Sequence, residues 1–484
     1  MPRVLAVDIG TSRIKAALFD EKGNMEALAD RRLERADSPS RQDARMWYES
    51  VCLLLRSMDL TRRIPDAVAL TGNMHALLGI GPDGEPVEDA FLWSDSSAEK
   101  ESDWLNERWG DFLKEFSGNA SIPVFTLPKI LKMKKERPEA YSSTRRFLNS
   151  KDYIAWRLTG NFATDPTDAS GTQMMSLSRH SWESAFLSEL SLDPGKLPEI
   201  LPSSSSFCGH VTPEAAEATG LPSGVKVVIG AGDLATAALG SGVDEDTFSL
   251  TLGTAGQLLA DGPAGTGGKL IGKIFLFAHA EKGRELYLGS VPGGGFSLEW
   301  LSARHNRSMT DFFRMASEDA RLTEDLPLFL PYLLGRGAPY MDYRPAGAWL
   351  GLKALHTEAD LYRGAVFGTL CPLRQCADLM ESLSGRRRGS LVLQALACRE
   401  KAVRETASAL FRQERKLLPL NSEASLLGAA MLGMCALNVY DGCACARNGM
   451  FRAEKMALPA TQLGSSHDAA QKLYARFLSA AGGI

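Results

Sequence analysis

The sequence predicts a two-domain α/β fold whose halves are related by duplication. The chain has 484 residues, and a single hydrophobic core stops growing at roughly 250 to 300 residues. Nearly continuous apolar strands alternate with helix-like segments. A pattern of strand, Gly-Thr turn and strand occurs twice, in LAVDIGTSRIKAAL and in FSLTLGTAGQLLAD. The predicted boundary lies near residue 243, which gives domains at 1–243 and 244–484.

Composition and charge limit the partners. Hydrophobic residues make up 44% and charged residues 23% of the chain, with a formal net charge of −4, as in ordinary globular proteins. The basic residues are scattered, so we expect neither nucleic acid nor a membrane as partner. No charged leader with a long apolar run precedes the first strand. These features favour a cytoplasmic enzyme that acts on a small molecule.

The cysteines indicate a reducing compartment. Eight are present, without the paired spacing of a disulfide framework or a zinc ribbon. The tightest group, Cys435, Cys443 and Cys445, has no histidine nearby, so plain reduced thiols are favoured over a metal site.

The first Gly-Thr turn has the features of a phosphate-binding hairpin. Glycine at Gly10 lets the backbone approach an anion closely, and the N–H groups and hydroxyls of Thr11 and Ser12 are donors for phosphate oxygens. Asp8 is a candidate anchor for Mg²⁺, and Lys15 is a candidate charge partner. A plain solvated hairpin is the alternative. The second copy places Gly253 and Thr254 at the equivalent positions.

Two further segments end predicted strands and carry polar and aromatic side chains suited to a sugar. The first contains Asn73, Met74 and His75, and the second contains Trp93 and Asp95. A single histidine after a strand is often only structural, and the sequence leaves that alternative open. The charged stretch from residue 93 to about 137 predicts helices that carry substrate contacts.

Asp233 follows the apolar strand VKVVIGAG and begins an Ala-rich helix. A carboxylate there can bind the free N–H groups of the first turn. It can also accept the proton of a sugar hydroxyl that attacks a γ-phosphate. The two roles are compatible in one residue.

In this order, these segments resemble the FGGY carbohydrate kinases, particularly the xylulokinases, from residue 3 to about 435. The matching stretches include DIGTSRIKAALFD, GNMH, LWSDSSAE, FTLPKIL, KDYIAWRLTGNFATDPTDASGT, GAGDLATAALGSG and LTLGTAG. The resemblance implies a duplicated actin-like and hexokinase-like ATPase fold of ribonuclease H-like type, with two domains around a cleft. It also implies ATP and Mg²⁺, with an N-terminal sugar-binding domain and a C-terminal nucleotide-binding domain.

The resemblance implies individual roles as well. Asp233 corresponds to the catalytic base, and Asp8 to the residue that holds Mg²⁺. Residues near the ATP phosphates are Thr11, Gly253 and Thr254, and those near the ketose are Met74, His75 and Asp95. The expected partners are therefore a sugar and a nucleotide, and a homodimer stays open.

The chain departs from the family pattern mainly in its second half. The family's glycine turn, against which adenine and ribose lie, is replaced after the strand SLVL by residues 394–398, with Ala395 and Leu396 at its centre. In the sugar strand, Asn73 stands where glutamine is usual. The leading hypothesis is an ATP-dependent kinase for a ketose such as xylulose. The alternatives are a sugar-binding homologue with weak or lost kinase activity, and an actin-like or chaperone-like ATPase.

Overall fold

The computed structural model describes residues 1–33, 38–60, 63–318, 322–344, 347–456 and 460–483. The strands, in chain order, are β1 (Arg3–Ile9), β2 (Arg13–Asp20), β3 (Met25–Arg32), β4 (Arg41–Gln42), β5 (Ala67–Gly72), β6 (Leu78–Ile80), β7 (Ala90–Phe91), β8 (Arg146–Leu148), β9 (Ala163–Thr164), β10 (Met175–Ser176), β11 (Ser181–Trp182), β12 (Glu199–Ile200), β13 (Phe207–His210), β14 (Lys226–Gly232), β15 (Thr247–Leu252), β16 (Gly256–Pro263), β17 (Phe275–Ala278), β18 (Arg284–Val291), β19 (Leu328–Leu330), β20 (Ala348–Leu350), β21 (Ser390–Gln394), β22 (Arg415–Pro419) and β23 (Ala453–Lys455).

The helices, in chain order, are α1 (Ala44–Ser57), α2 (Glu99–Ser117), α3 (Thr126–Glu136), α4 (Pro138–Ser143), α5 (Ser150–Thr159), α6 (Pro166–Gly171), α7 (Ser184–Glu189), α8 (Pro213–Thr219), α9 (Asp233–Gly240), α10 (Gly294–Arg304), α11 (Met309–Ala316), α12 (Glu358–Ser384), α13 (Lys401–Leu410), α14 (Ala424–Ala436), α15 (Cys443–Met450) and α16 (Ala460–Gly482).

The first large sheet has six strands in the order β13-β14-β5-β1-β2-β3. Its centre is parallel, because β5 pairs in parallel with both β1 and β14. β1 and β2 form the predicted antiparallel hairpin, which sets Asp8 opposite Lys15. The central strands are buried along almost their whole length, as expected for parallel strands covered on both faces.

The second large sheet repeats this arrangement. Its seven strands run β17-β18-β16-β15-β21-β22-β23. The hairpin β15–β16 is antiparallel, and β15, β21 and β22 are parallel neighbours. The duplication that the repeated Gly-Thr pattern predicted is therefore present as a pair of related sheets.

Two equivalent helices join the sheets. α9 follows β14 in the first sheet, α14 follows β22 in the second, and the two helices pack on each other. Glycine permits this close approach, because a Cβ on Gly240 would overlap the carbonyl of Ala424, and one on Gly428 would overlap the carbonyl of Thr236. α14 also packs on β1, β5 and β14, so a late part of the chain completes the core of the first sheet.

The stretch after Trp93 folds as predicted into helices, α2 and α3. Pro128 lies in the first turn of α3, where a missing N–H does not interrupt helical bonding. All eight cysteines are free thiols. Within the described residues, the helices are too short or too polar to cross a membrane.

Candidate active site

The carboxyl ends of β1, β5 and β14 meet at one edge of the first sheet, where Ile9 and Gly232 both flank Gly72 in register. Ligands of open parallel sheets bind at this kind of edge. Asp233 is the first residue of α9 and follows Gly232 directly. The candidate site is therefore assembled from three separate stretches of the chain.

The Asp233 carboxylate is held by local backbone groups. It accepts a hydrogen bond of 2.8 Å from the N–H of Leu234, and the backbone of Met74 also donates to it. Gly232 occupies the N-cap position, so Asp233 binds the first turn from within the helix. The carboxylate thus contacts both its own helix and the segment predicted to bind sugar.

Asp233 and Asp8 share a poorly solvated region. Burial raises the pKa of Asp233 to about 7, with a further contribution from the negative charge of Asp8. Burial raises the pKa of Asp8 to about 6, while Lys15 opposes that rise and Glu423 adds to it. The site therefore holds more negative than positive charge, which suits a bound cation.

Lys15 forms an ion pair with Glu423, with 2.7 Å between its Nζ and the carboxylate Oε2. Glu423 directly precedes α14. This contact joins the first hairpin to the C-terminal half of the chain. Because Lys15 interacts with the carboxylates of both Glu423 and Asp8, it only partly neutralises the charge of Asp8.

The first Gly-Thr turn contacts the second predicted sugar segment. The indole N–H of Trp93 donates to the Thr11 hydroxyl over 2.9 Å, and the side chain of Gln42 donates to the Thr11 carbonyl. Trp93 remains 50% exposed, so a ligand can still reach its ring. Gly10 and Ser12 flank Thr11 at the tip. A Cβ on Gly10 would lie 2.7 Å from the carbonyl oxygen of Arg13, so the turn favours glycine at this position.

Residues 73–75 form a tightly packed turn after β5. The amide of Asn73 donates to the Ile9 carbonyl over 2.8 Å, which ties the ends of β5 and β1 together. Met74 is buried and fills the space beside Gly232. The structure therefore gives Asn73 a supporting contact within the sheet.

His75 has a backbone φ of 63°, and its ring lies between Phe125 and Phe277. Burial lowers its pKa to about 4, so the ring is neutral. Nδ1 lies 2.8 Å from the carbonyl of Gly171, which can only accept, so Nδ1 carries the proton. Nε2 is then left as an acceptor for a hydroxyl.

A buried lysine links the two predicted sugar segments. Lys129 on α3 is 0% exposed, and its ammonium donates to the carbonyls of His75 (2.9 Å) and Leu92 (2.6 Å). Burial lowers its pKa to about 7, opposed by the nearby charge of Asp95. Asp95 is itself only 6% exposed.

The second Gly-Thr turn is exposed at its tip. The carbonyls of Gly253 and Thr254 accept hydrogen bonds of 2.9 and 3.0 Å from the first-turn amides of Gly295 and Phe296 in α10. A Cβ on Gly295 would overlap the Gly253 carbonyl. The glycines at the start of α10 therefore allow that helix to support the hairpin.

The turn after β21 differs from the turn after β5. Ala395 has a φ of 73°, in the left-handed region where a Cβ costs roughly 1–2 kcal/mol. Leu396 is 80% exposed. The side-chain amide nitrogen of Gln394 is buried, and among the described residues it has no hydrogen-bond partner. This turn, where the sequence resemblance leads one to expect glycine, therefore has a left-handed backbone at a residue that carries a side chain.

Three residues that contact the site or its supports were not predicted from the sequence: Lys129, Glu423 and Thr167. The signals were present but weak. Lys129 interrupts the apolar run FTLPKIL, and Thr167 lies in the polar run TDPTDAS. Only their hydrogen bonds to residues remote in sequence distinguish these side chains from others on or next to a helix.

The duplicated α/β fold, the paired carboxylates and the two Gly-Thr hairpins define a two-domain phosphotransferase. The chain belongs to the FGGY family of carbohydrate kinases, because the family's N-terminal domain matches residues 3–240 and its C-terminal domain matches residues 281–437. At the level of the family, it is an ATP-dependent sugar kinase.

Individual relatives agree with this membership. The chain is 29% identical over 453 residues to a xylulose kinase of Lactococcus lactis, covering 91% of this chain and 89% of the relative. It is 26% identical over 461 residues to a gluconokinase of Bacillus subtilis, covering 90% and 88%. The ligand-bound xylulose kinase structure from Lactobacillus acidophilus superposes with a TM-score of 0.89 at 22% identity, covering 100% of this chain and 98% of that one.

Proposed function

We propose that this protein transfers the γ-phosphoryl group of ATP to a hydroxyl of a ketose such as xylulose, with Asp233 as general base. Residues 1–243 would bind the sugar and residues 244–484 the nucleotide. The observation that carries the proposal is the Asp233 carboxylate, whose pKa is raised to about 7 and which is bonded to the backbone of the predicted sugar segment.

The proposed base acts on the attacking hydroxyl. Its ionised carboxylate accepts the hydroxyl proton as the oxygen forms a bond to phosphorus and the bond to the ADP oxygen breaks. A base with a pKa near the working pH combines adequate proton affinity with a large ionised fraction. The hydrogen bonds from Leu234 and Met74 hold the carboxylate in place before the sugar arrives.

The two hairpins would bind the phosphates of ATP. Thr11, Ser12 and Thr254 offer hydroxyls and backbone N–H groups, and Gly10 and Gly253 leave the backbone accessible. Donors aimed at the transferred group stabilise the charge that spreads over its oxygens. The N-terminus of α9 adds positive electrostatic potential near the same edge.

The residues present also fit a magnesium ion. Asp8 is the carboxylate that would hold it, since its charge is only partly neutralised by Lys15. Among the described residues, no group of three or more His, Cys, Asp or Glu side chains is arranged to hold a metal ion by itself. In nucleotide sites, Mg²⁺ is usually held by one or two carboxylates together with phosphates and water. Mg²⁺ would supply charge neutralisation at the phosphates.

For the acceptor, the unprotonated Nε2 of His75 can accept a bond from a sugar hydroxyl. The exposed ring of Trp93 offers an apolar face, and Met74 and Asp95 complete the predicted contacts. Trp93 also bonds to Thr11, so sugar and phosphate contacts belong to one connected structure.

A second candidate function is sugar binding with weak or lost phosphoryl transfer. It is favoured by Ala395 and Leu396, which place side chains where the family has bare glycine backbone. Calorimetry separates the two functions. Heat with sugar but none with ATP or other nucleotides supports the second candidate, and micromolar ATP binding excludes it.

A coupled assay of ADP release tests the main proposal. The wild-type protein is assayed with Mg-ATP over a panel of pentuloses, hexuloses, polyols and sugar acids. We expect turnover with at least one ketose. No turnover above background with any member of the panel would overturn the proposal.

A further inference from the structure

The backbone that carries Asp233 is bonded to a buried threonine on α6. The N–H of Gly232 donates to the Thr167 Oγ1 over 2.8 Å. This N–H lies beyond the β13–β14 ladder, whose register ends at Val228. Thr167 therefore supplies the acceptor at the point where β14 turns into α9.

The Thr167 hydroxyl has a fixed direction. It donates its proton to the Asp165 carboxylate over 2.7 Å. The lone pairs of the oxygen are therefore available to accept the N–H of Gly232. The same Asp165 oxygen accepts the hydroxyl of Ser203, and the other oxygen pairs with Lys151 at 3.0 Å. Because these groups are buried, water does not compete for the hydroxyl.

The packing leaves Gly232 little room to move. A Cβ there would lie 2.6 Å from Met74 Cγ and 3.1 Å from an Asp168 carboxylate oxygen. Asp168 is also paired with Lys151, at 3.1 Å. The peptide before Asp233 is thus enclosed on one side by Asp168, which pairs with the buried Lys151, and on another by Met74 of the predicted sugar segment.

We propose that Thr167 is a positioning residue for Asp233: its oriented hydroxyl fixes the Gly232 peptide and thereby the direction of the catalytic carboxylate. This inference rests on the proposed function, in which Asp233 is the base. Phosphoryl transfer depends on in-line geometry, and a displacement of about 1 Å can lower a rate by roughly 100-fold.

Thr172 provides a matched control. It follows the same short helix and is also buried, but its hydroxyl donates to Ala169 and accepts from Met174, within its own turn. Thr172→Val therefore removes a buried hydroxyl of the same kind without touching the peptide before Asp233.

The test compares Thr167→Val, Thr167→Ser and Thr172→Val with the wild type, using the sugar identified in the panel assay. We expect Thr167→Val to lower kcat by about 10- to 100-fold, with the sugar KM within about threefold. Thr167→Ser keeps the hydroxyl and should restore kcat to within about threefold. Thr172→Val should leave kcat near wild type even if its Tm falls.

Equal kcat values for Thr167→Val and Thr172→Val would overturn the inference. If Thr167→Val does not fold, Thr167→Cys, with a weaker acceptor of similar size, is measured against the same control. Asp233→Asn is assayed in parallel. If it is inactive while Thr167→Val is normal, only the positioning role fails; if it keeps wild-type turnover, the proposed base fails and the positioning role with it.

Discussion

The two halves of the chain use one strand arrangement in two different ways. In each half, an antiparallel hairpin with a Gly-Thr turn lies beside a parallel strand that ends in a tight turn. After β5, Met74 is buried and His75 is held by ring and hydrogen-bond contacts. After β21, Leu396 is mostly exposed. The proposed acceptor side is preorganised, whereas the proposed nucleotide side presents an exposed apolar side chain.

This difference locates the weak point of the proposed enzyme. The proposed nucleotide turn is formed by residues 394–398 at the end of β21. A side chain there in place of bare backbone should cost about 1–3 kcal/mol through overpacking if the turn relaxes, which weakens ATP binding by about 5- to 150-fold. In the proposed acceptor half, by contrast, the Asp233 carboxylate is held by hydrogen bonds from the backbone of Leu234 and Met74.

The largest effect is expected at the base. Asp233→Asn keeps the shape of the side chain but removes its proton affinity, so kcat should fall by about 100-fold or more. Steady-state kinetics with the preferred sugar measures it. Asp103→Asn, at an exposed position on α2, is the control and should match the wild type. Near-normal turnover of Asp233→Asn would show that Asp233 is not the base, and the acceptor half would then contain no identified catalytic group.

Restoring glycine to the nucleotide turn should reverse its defect. Ala395→Gly combined with Leu396→Gly removes the left-handed strain and the exposed side chain, so the KM for ATP should fall by about 5- to 150-fold. The sugar KM should not change.

The control for this double variant is Ser191→Gly. Ser191 also has a left-handed backbone, with φ at 56°, but it is remote in sequence from the nucleotide turn. Relieving strain at this position should therefore leave the KM for ATP unchanged. An unaltered KM for ATP in the double variant would show that the turn does not limit nucleotide binding.

The pH dependence of kcat/KM for the sugar should report the ionisation of Asp233. Because the pKa of Asp233 is raised to about 7, the base is ionised above that pH and protonated below it. The kcat/KM for sugar should therefore fall about tenfold for each pH unit below 7. The residual activity of Asp233→Asn should lack this limb. A flat wild-type profile between pH 6 and 8 would contradict the assignment.

The smallest effect is expected at Lys129. Lys129→Met leaves the His75 and Leu92 carbonyls without their donor, and a loss of about 1 kcal/mol corresponds to a sugar KM about fivefold higher. The KM for ATP should stay the same. Lys135→Met, at an exposed position on the same helix, is the control. A rise in both KM values would indicate general destabilisation instead.

Much of the fold was predictable because its signals are local. Alternating and continuous apolar runs indicated β1, β2, β14 and β15, and the Gly-Thr repeat indicated the duplication. Helices were expected between residue 93 and about 137, where α2 and α3 lie. The packing of α14 on the first sheet was not foreseen, since nothing within that apolar helix specifies which sheet it covers.

The order of the motifs, the resemblance to the FGGY kinases, and the candidate base and metal ligand were all predictable from the amino-acid sequence. Tertiary contacts were needed to show that the charge of Asp8 adds to the raised pKa of Asp233 and that Lys129 bonds to both predicted sugar segments. They were also needed to show that Thr167 accepts a hydrogen bond from the peptide before Asp233. The difference follows from the separation of these residues along the chain. Strand and turn preferences act between near neighbours in sequence, whereas burial, charge interactions and hydrogen bonds between remote segments arise only after the chain has folded.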